Sequence, residues 1–237
     1  MKFPPLTRGQ ILRRYQRFLA DVELPGGVVV TAHCPNTGSM SGCWEPGAPA
    51  EISASDNPKR KLKWTLERVD MGQGWVGVNT GRTNQVMTWF LERGQVPGLD
   101  GYTGLRREPV YLAPGFPKSR FDALLTGAGR RDCYVEVKNT TLYTDGAVRF
   151  PDAVTERGRK HLLLLEHAVS EGRRGVILFA VNRPEGEVFS PARLIDPDYA
   201  DTLSDVTAKG VEALAVRIRH TPKGVRMGGL LPVDLGG

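Results

Sequence analysis

Apolar and polar positions alternate with a period of two through short stretches of the first third of the chain. They are separated by clusters of turn residues. Gln10 to Leu24 forms one long stretch, ending at Pro25-Gly26-Gly27, and the β-branched run Val28 to His33 follows. Pro49 to Ser55, Leu62 to Val69 and Trp75 to Val78 complete the set, the last two joined across the hairpin-like turn Met71 to Gly74. Five short strands with no helical period between them predict a small barrel of the oligonucleotide-binding (OB) type. A sandwich would share the same spacing.

The pattern changes after Arg82. Asn84 to Arg93 carries the apolar stripe Val86, Met87, Phe90, Leu91 and stops at Gly94, which predicts a helix. Strands are predicted at Glu108 to Leu112, Phe121 to Leu125 and Cys133 to Lys138. A helix over Pro151 to Glu171, a buried strand over Gly175 to Val181, a helix over Pro197 to Lys209 and a strand over Val211 to Arg219 follow. This succession predicts a mixed sheet with helices packed on it, and a basic, poorly ordered tail beyond Arg219. The expected organisation is an α+β / α/β two-domain chain, with an OB-fold-like barrel in residues 1–82 and an α/β domain in 83–237.

Composition agrees with a sizeable core and adds a charge asymmetry. The 237 residues are 40% apolar with a net charge of +6. Up to Arg82 there are 11 basic and 7 acidic residues, a balance of +4; the remainder carries 21 and 19, a balance of +2. A basic first domain favours phosphate-rich partners, nucleic acid before an anionic membrane, since no amphipathic basic helix is present. No run of eighteen apolar residues predicts a membrane span, and no apolar leader follows Met1. Three cysteines (Cys34, Cys43, Cys133) make no complete disulfide framework, so the expected compartment is the reducing cytoplasm. His33, Cys34 and Cys43 do not match common zinc spacings.

Two basic clusters suit nucleic acid. Arg13, Tyr15 and Arg17 are expected on one strand face. Asn57 to Trp64 places Lys59, Arg60, Lys61 and Lys63 beside an aromatic, a combination that tracks phosphates and stacks bases. The tripeptide Asn-Thr-Gly occurs twice, at Asn36 to Gly38 and Asn79 to Gly81, and both copies read as turns whose amides can cradle an anion.

Candidate chemistry centres on Cys133 to Asn139. Val135 and Val137 alternate with Tyr134, Glu136 and Lys138, so Glu136 and Lys138 share a face, their Cα atoms roughly 6.5–7 Å apart. If Phe121 to Leu125 pairs with this strand in a hairpin centred on Gly129, Asp122 lies opposite Glu136. A slip of one residue would turn the polar set against the apolar face. Facing carboxylates are destabilising unless a cation, a proton or solvent separates them. Magnesium or manganese fits, since such ions take one or two carboxylates and leave places for water and phosphate. Lys138 could then orient a metal-bound water. On the following helix Arg157 and Lys160 share a face that could clamp phosphate. His161 continues the stripe Val154, Leu165, Ala168 and reads as a core-edge histidine rather than a base.

Asp122, Glu136-x-Lys138 and the basic helix after them resemble the PD-(D/E)XK nuclease superfamily. There the two acids hold magnesium and the lysine serves the attacking water. Phe121 stands where proline usually introduces the acid, and the first-helix acid of that superfamily has no counterpart near Thr88 and Trp89, Glu92 being nearest. At a finer level several segments resemble the sugar fermentation stimulation protein A (SfsA) family. They are Arg14 to Leu19, Cys34 to Met40, Asn57 to Leu62, Val78 to Arg82, Ser119 to Asp122, Val135 to Asn139, Phe150 to Thr155 and Arg157 to His161. The resemblance runs from about Gln10 to Val216. It implies an OB barrel followed by a nuclease-like domain, DNA binding without strong sequence preference, and a link to the regulation of maltose metabolism. It adds Arg82 and Arg120, which lie inside these motifs, to the DNA-binding candidates. The expected function is DNA binding, with a divalent-metal-dependent nuclease or phosphodiesterase using Asp122, Glu136 and Lys138 as the alternative.

Overall fold

The structure is a computed structural model describing residues 1–236. The first domain is built from β1 (Leu6–Tyr15), β2 (Leu19–Glu23), β3 (Val29–His33), β4 (Pro49–Ala54), β5 (Trp64–Asp70) and β6 (Trp75–Gly77). They form one sheet in the order β3-β2-β1-β4-β5-β6, and a parallel β3–β5 pairing closes it into the expected barrel. Inward positions such as Ile11, Ala20, Val22, Ala32, Ile52, Leu66 and Val76 fill the interior. Gln10 to Leu24 is two strands, not one. Gln16 and Arg17 take positive φ (48° and 63°), which turns β1 back into β2. Arg17 therefore leaves the strand face that carries Arg13 and Tyr15.

Helix α1 (Thr80–Leu91) leads into the second domain and starts four residues earlier than the apolar stripe indicates. Asn79 accounts for this, because its side chain caps the helix by accepting from Arg82 N at 3.0 Å. The second Asn-Thr-Gly is thus a helix start, not a free turn. Next come β7 (Gly104–Arg107), β8 (Val110–Tyr111), β9 (Ser119–Arg120), β10 (Ala123–Thr126), β11 (Cys133–Thr140), β12 (Leu142–Thr144) and β13 (Ala147–Phe150). Helix α2 (Glu156–Ser170), β14 (Arg174–Val181), β15 (Phe189–Pro191), α3 (Pro197–Ala208), β16 (Glu212–Thr221) and β17 (Gly224–Leu231) complete the chain.

The main sheet runs β17-β16-β14-β11-β10-β7 and mixes parallel with antiparallel neighbours. Helix α1 covers one face, packing Val86, Met87 and Phe90 on Val135, Val137 and Leu178. Helices α2 and α3 cover the other, with Leu162, Leu165 and Leu203 against Leu124, Tyr134 and Phe179. Strand β11 is consequently buried on both faces instead of half-exposed, and the polar set at Glu136 lies beneath α2. The segment beyond Arg219, expected to be a loose tail, pairs as β17 with β16. The small sheet β12-β13-β15 was not foreseen either. Residues Met1 to Phe3 dock on the edge of β17, where Met1 N and Val225 O are 2.7 Å apart.

Candidate functional site

The hairpin register follows the predicted parity. Ala123 pairs with Val135, Leu124 with Tyr134 and Leu125 with Cys133, all centred on Gly129. Strand β10 begins at Ala123, so nothing in the ladder covers the amide of Val137 on that side. The carboxylate of Asp122 takes its place, with Val137 N donating to Oδ2 at 2.7 Å. Its Oδ1 accepts from Asn84 Nδ2 at 2.7 Å. Helix α1 therefore does contribute a side chain to the site, but it is Asn84. Glu92, the acid expected nearest, lies away from it and pairs with Arg107.

Glu136 is 5% exposed. Lys138 Nζ donates to its Oε1 at 2.7 Å, and the Nδ1 of His161 hydrogen-bonds the same oxygen. His161 is not a passive core residue. It is buried against Phe121 and fixes the carboxylate from α2. The stripe assumed for it was wrong at one end, since Val154 precedes the helix and is exposed. Burial alone would push Glu136 up. The Lys138 ammonium and the bond from His161 outweigh burial, so its carboxyl lies below the usual range. Asp122 goes the other way, raised to about 7 by burial and then by the charge of Glu136. Two nearby carboxyls with opposed shifts form a site short of positive charge.

That deficit fits a divalent cation. Both donors to Glu136 converge on Oε1, which leaves Oε2, and Asp122 supplies a second carboxylate. Among the described residues no group of three or more His, Cys, Asp or Glu gathers as a metal site. The donor set thus suits a hard divalent cation retaining most of its waters, not a fully caged ion.

Two clefts flank these residues. One, of about 430 Å³, is lined by Lys118, Ser119, Arg120, Arg157, Lys160 and His161, and so joins three predicted cations to the far side of Glu136. The other, of about 500 Å³, lies between the domains. Lys138 and Asn84 open into it together with Arg17 and Arg149. Both Asn-Thr-Gly segments face it, and Thr80 Oγ1 donates to Pro35 O at 3.3 Å between them.

The remaining candidates lie elsewhere. Arg13 stacks on Tyr15 with its guanidinium 4.7 Å from the ring, and pairs with Asp21 at 2.7 Å. Lys59, Lys61 and Lys63 are exposed on the loop before β5, while Arg60 donates to Thr65 Oγ1; none of the four lines either cleft. Arg82 pairs with the buried Glu67 at 2.9 Å at the domain junction and lines neither cleft. The sequence reading missed Asn84, Arg149 and Arg14 as site residues; Arg14 follows Arg13 in the chain, but alternation assigns it to the opposite strand face. Arg14 braces one cleft wall by donating to the carbonyls of Arg17, Asn36 and Gly38 at 2.8, 3.0 and 2.8 Å.

Fold and site together define a two-domain protein in which an OB barrel precedes a mixed sheet with helices on both faces. Residues 12–78 match the SfsA N-terminal OB domain, and residues 81–224 match the sugar fermentation stimulation protein RE domain. The chain belongs to the sugar fermentation stimulation protein family. It is 50% identical to the sugar fermentation stimulation protein homolog of Geobacter sulfurreducens, over 98% of this chain and 97% of that one. The Shewanella frigidimarina homolog is 48% identical over 94% and 95%. The structure of Pyrococcus furiosus SfsA in complex with Ca2+ aligns with a TM-score of 0.88 at 25% identity, covering 99% of this chain and 98% of that one. No helix among the described residues is long and apolar enough to cross a membrane.

Proposed function

We propose that the protein binds DNA without strong sequence preference. The observation that carries this reading is the gathering of Arg120, Arg157 and Lys160 with Lys118 around one cleft, beside the carboxylates and next to a second cleft holding Arg17, Lys138 and Arg149. Cations so placed follow a phosphate backbone and carry no base-reading geometry. Any connection to sugar metabolism rests on the family name alone. In gel shifts at rising salt, affinity is expected to fall by roughly 10³-fold between 50 and 200 mM if about six phosphates are contacted. Binding that ignores salt, or none at 50 mM, rejects the reading.

A second reading, a metal-dependent nuclease or phosphodiesterase, is favoured by the convergence of Asp122, Glu136 and Lys138. A divalent cation would polarise the phosphoryl oxygen and acidify a water. Asp122 and Glu136 would hold it, and the Ca2+ in the Pyrococcus furiosus relative supports a cation without identifying the working ion. Asn84 and His161 orient the two carboxylates. Lys138, held at Glu136 and open to the interdomain cleft, is placed to meet phosphate or the attacking water. Plasmid nicking in magnesium or manganese, lost on chelation and in Glu136→Ala and Lys138→Ala, is the expected result. Equal background cleavage in all three proteins removes this reading and leaves DNA binding standing.

A further inference from the structure

We infer that the cleft between the domains receives a single nucleic-acid strand, one or two nucleotides at a time, and not a duplex; this rests on the nucleic-acid-binding reading above. The first ground is size. A volume of about 500 Å³ is roughly 8 Å on a side, the range of a small-ligand pocket. The major groove of a DNA duplex is by itself roughly 12 Å wide.

The second ground is that the walls are tied across the gap. Asp152 of the second domain accepts from Met40 N at 3.0 Å and Ser39 Oγ at 3.3 Å on the barrel loop. Gly38 lies so close to that carboxylate that a Cβ there would collide with it. Arg14 holds the same loop from behind through its carbonyl bonds. Widening the cleft to admit a duplex would break this latch.

The third ground is the lining. Among the described residues Arg17 has no carboxylate partner, and Arg149 makes only two long bonds of 3.4 Å, to the carbonyls of Thr144 and Pro191. Lys138 is the third cation, and the one acid of the lining, Asp152, is engaged by the latch. The start of α1 adds Thr80 and Gly81, with no acid in its first turn. A helix start alone identifies no ligand, but Asn36 faces the same space. It is 7% exposed, and its Oδ1 is held by Gly38 N at 2.9 Å, which leaves the amide nitrogen for a guest. Phe150, half-buried in the wall and braced by Tyr199 and Phe179, offers an aromatic surface to a base. Asn84 and Val137 belong to this lining and both hydrogen-bond Asp122, so a strand held here lies next to the carboxylates.

Fluorescence anisotropy at 50 mM salt tests this with a labelled 12-nucleotide oligothymidylate, the corresponding oligouridylate and a blunt 12-base-pair DNA duplex. The expected result is single-strand binding at least tenfold tighter than duplex binding. Arg149→Ala is expected to weaken the single strand about fivefold and the duplex less than twofold, with thermal melts confirming the fold. The two single strands distinguish DNA from RNA as the source. Duplex bound as tightly as single strand overturns the inference, whatever the variant does, and leaves DNA binding intact. A preference for single strand that Arg149→Ala leaves untouched overturns the cleft as its site. No binding of any probe overturns both this and the reading beneath it.

Discussion

The polar side chains at the centre of the second domain are held by specific partners, so single substitutions have directional consequences. Asn84 occupies the position on α1 where an acid would complete a three-carboxylate site, donating to Asp122 at 2.7 Å. Asn84→Asp adds a hard oxygen ligand and a charge. It is expected to tighten manganese binding about tenfold in titration calorimetry; unchanged affinity would remove Asp122 from the metal's surroundings. His220 gives a prediction of another kind. It accepts no easy proton, because burial first, and the charge of Arg68 second, depress it from 6.5 to about 3. Its Nε2 lies 2.7 Å from Asn182 Oδ1. A histidine kept neutral in the fold but protonated when unfolded contributes stability that is complete above pH 6.5 and is lost as pH falls towards 3. The effect is on the order of 5 kcal/mol over that window. His220→Gln is expected to flatten the acid side of the stability curve measured by urea denaturation between pH 7 and 4. A variant curve parallel to wild type would show that the proton goes elsewhere.

At the scale of elements, α2 is the piece that turns a sheet into a site, because it carries Arg157, Lys160 and His161 against β11 and β14. Its seat is Gly175, where a Cβ would meet the Leu165 carbonyl oxygen at 2.7 Å and Leu165 Cβ at 3.2 Å. Gly175→Val must push the helix away, at a cost of about 1–3 kcal/mol, and carry His161 off Glu136. A lowered melting temperature together with weakened DNA binding is expected, and an unchanged melt would show the helix can shift freely. The same elements show what was legible in sequence. The β10–β11 register could be read because alternation fixes parity, and parity placed Asp122 opposite Glu136. The barrel strands could be read because Gly and Pro clusters separate them. Other features left no local trace. Arg17 adopts positive φ without being glycine, and β17 hides behind the glycines and cations of Gly224 to Leu231. The reach of Asn84 depends on where α1 docks. Composition likewise could not show that Arg82 meets Glu67.

On the scale of the whole molecule the two domains share buried polar contacts, and the cleft exists only because they are fixed relative to one another. Arg68 is the central tie. It extends from β5, is fully buried, donates to Glu51 within the barrel at 2.7 Å and to Thr221 O in the second domain at 2.8 Å. Its guanidinium also lies 4.7 Å from the Trp75 ring and 5.7 Å from that of Phe3, whose own segment is docked on β17. Asn182 strengthens the junction from the other side, its carbonyl oxygen accepting from Gly77 N of β6 at 2.8 Å while its side chain is held by Thr83 and Asn139. Domains joined this way should melt together, so a single calorimetric transition is expected for the wild-type chain. Arg68→Met keeps much of the apolar stem but removes the charge and both hydrogen bonds, leaving Glu51 without its cation. Breaking one side of such a pair costs about 3–5 kcal/mol. The variant is expected to melt lower and in two resolved steps, barrel and sheet separately, with single-strand affinity falling in parallel as the cleft loses its fixed width. If Arg68→Met still melts in one step, the coupling runs through the Asp152 latch and the Thr80 bond to Pro35, and Asp152→Ala should then be the variant that divides the transition.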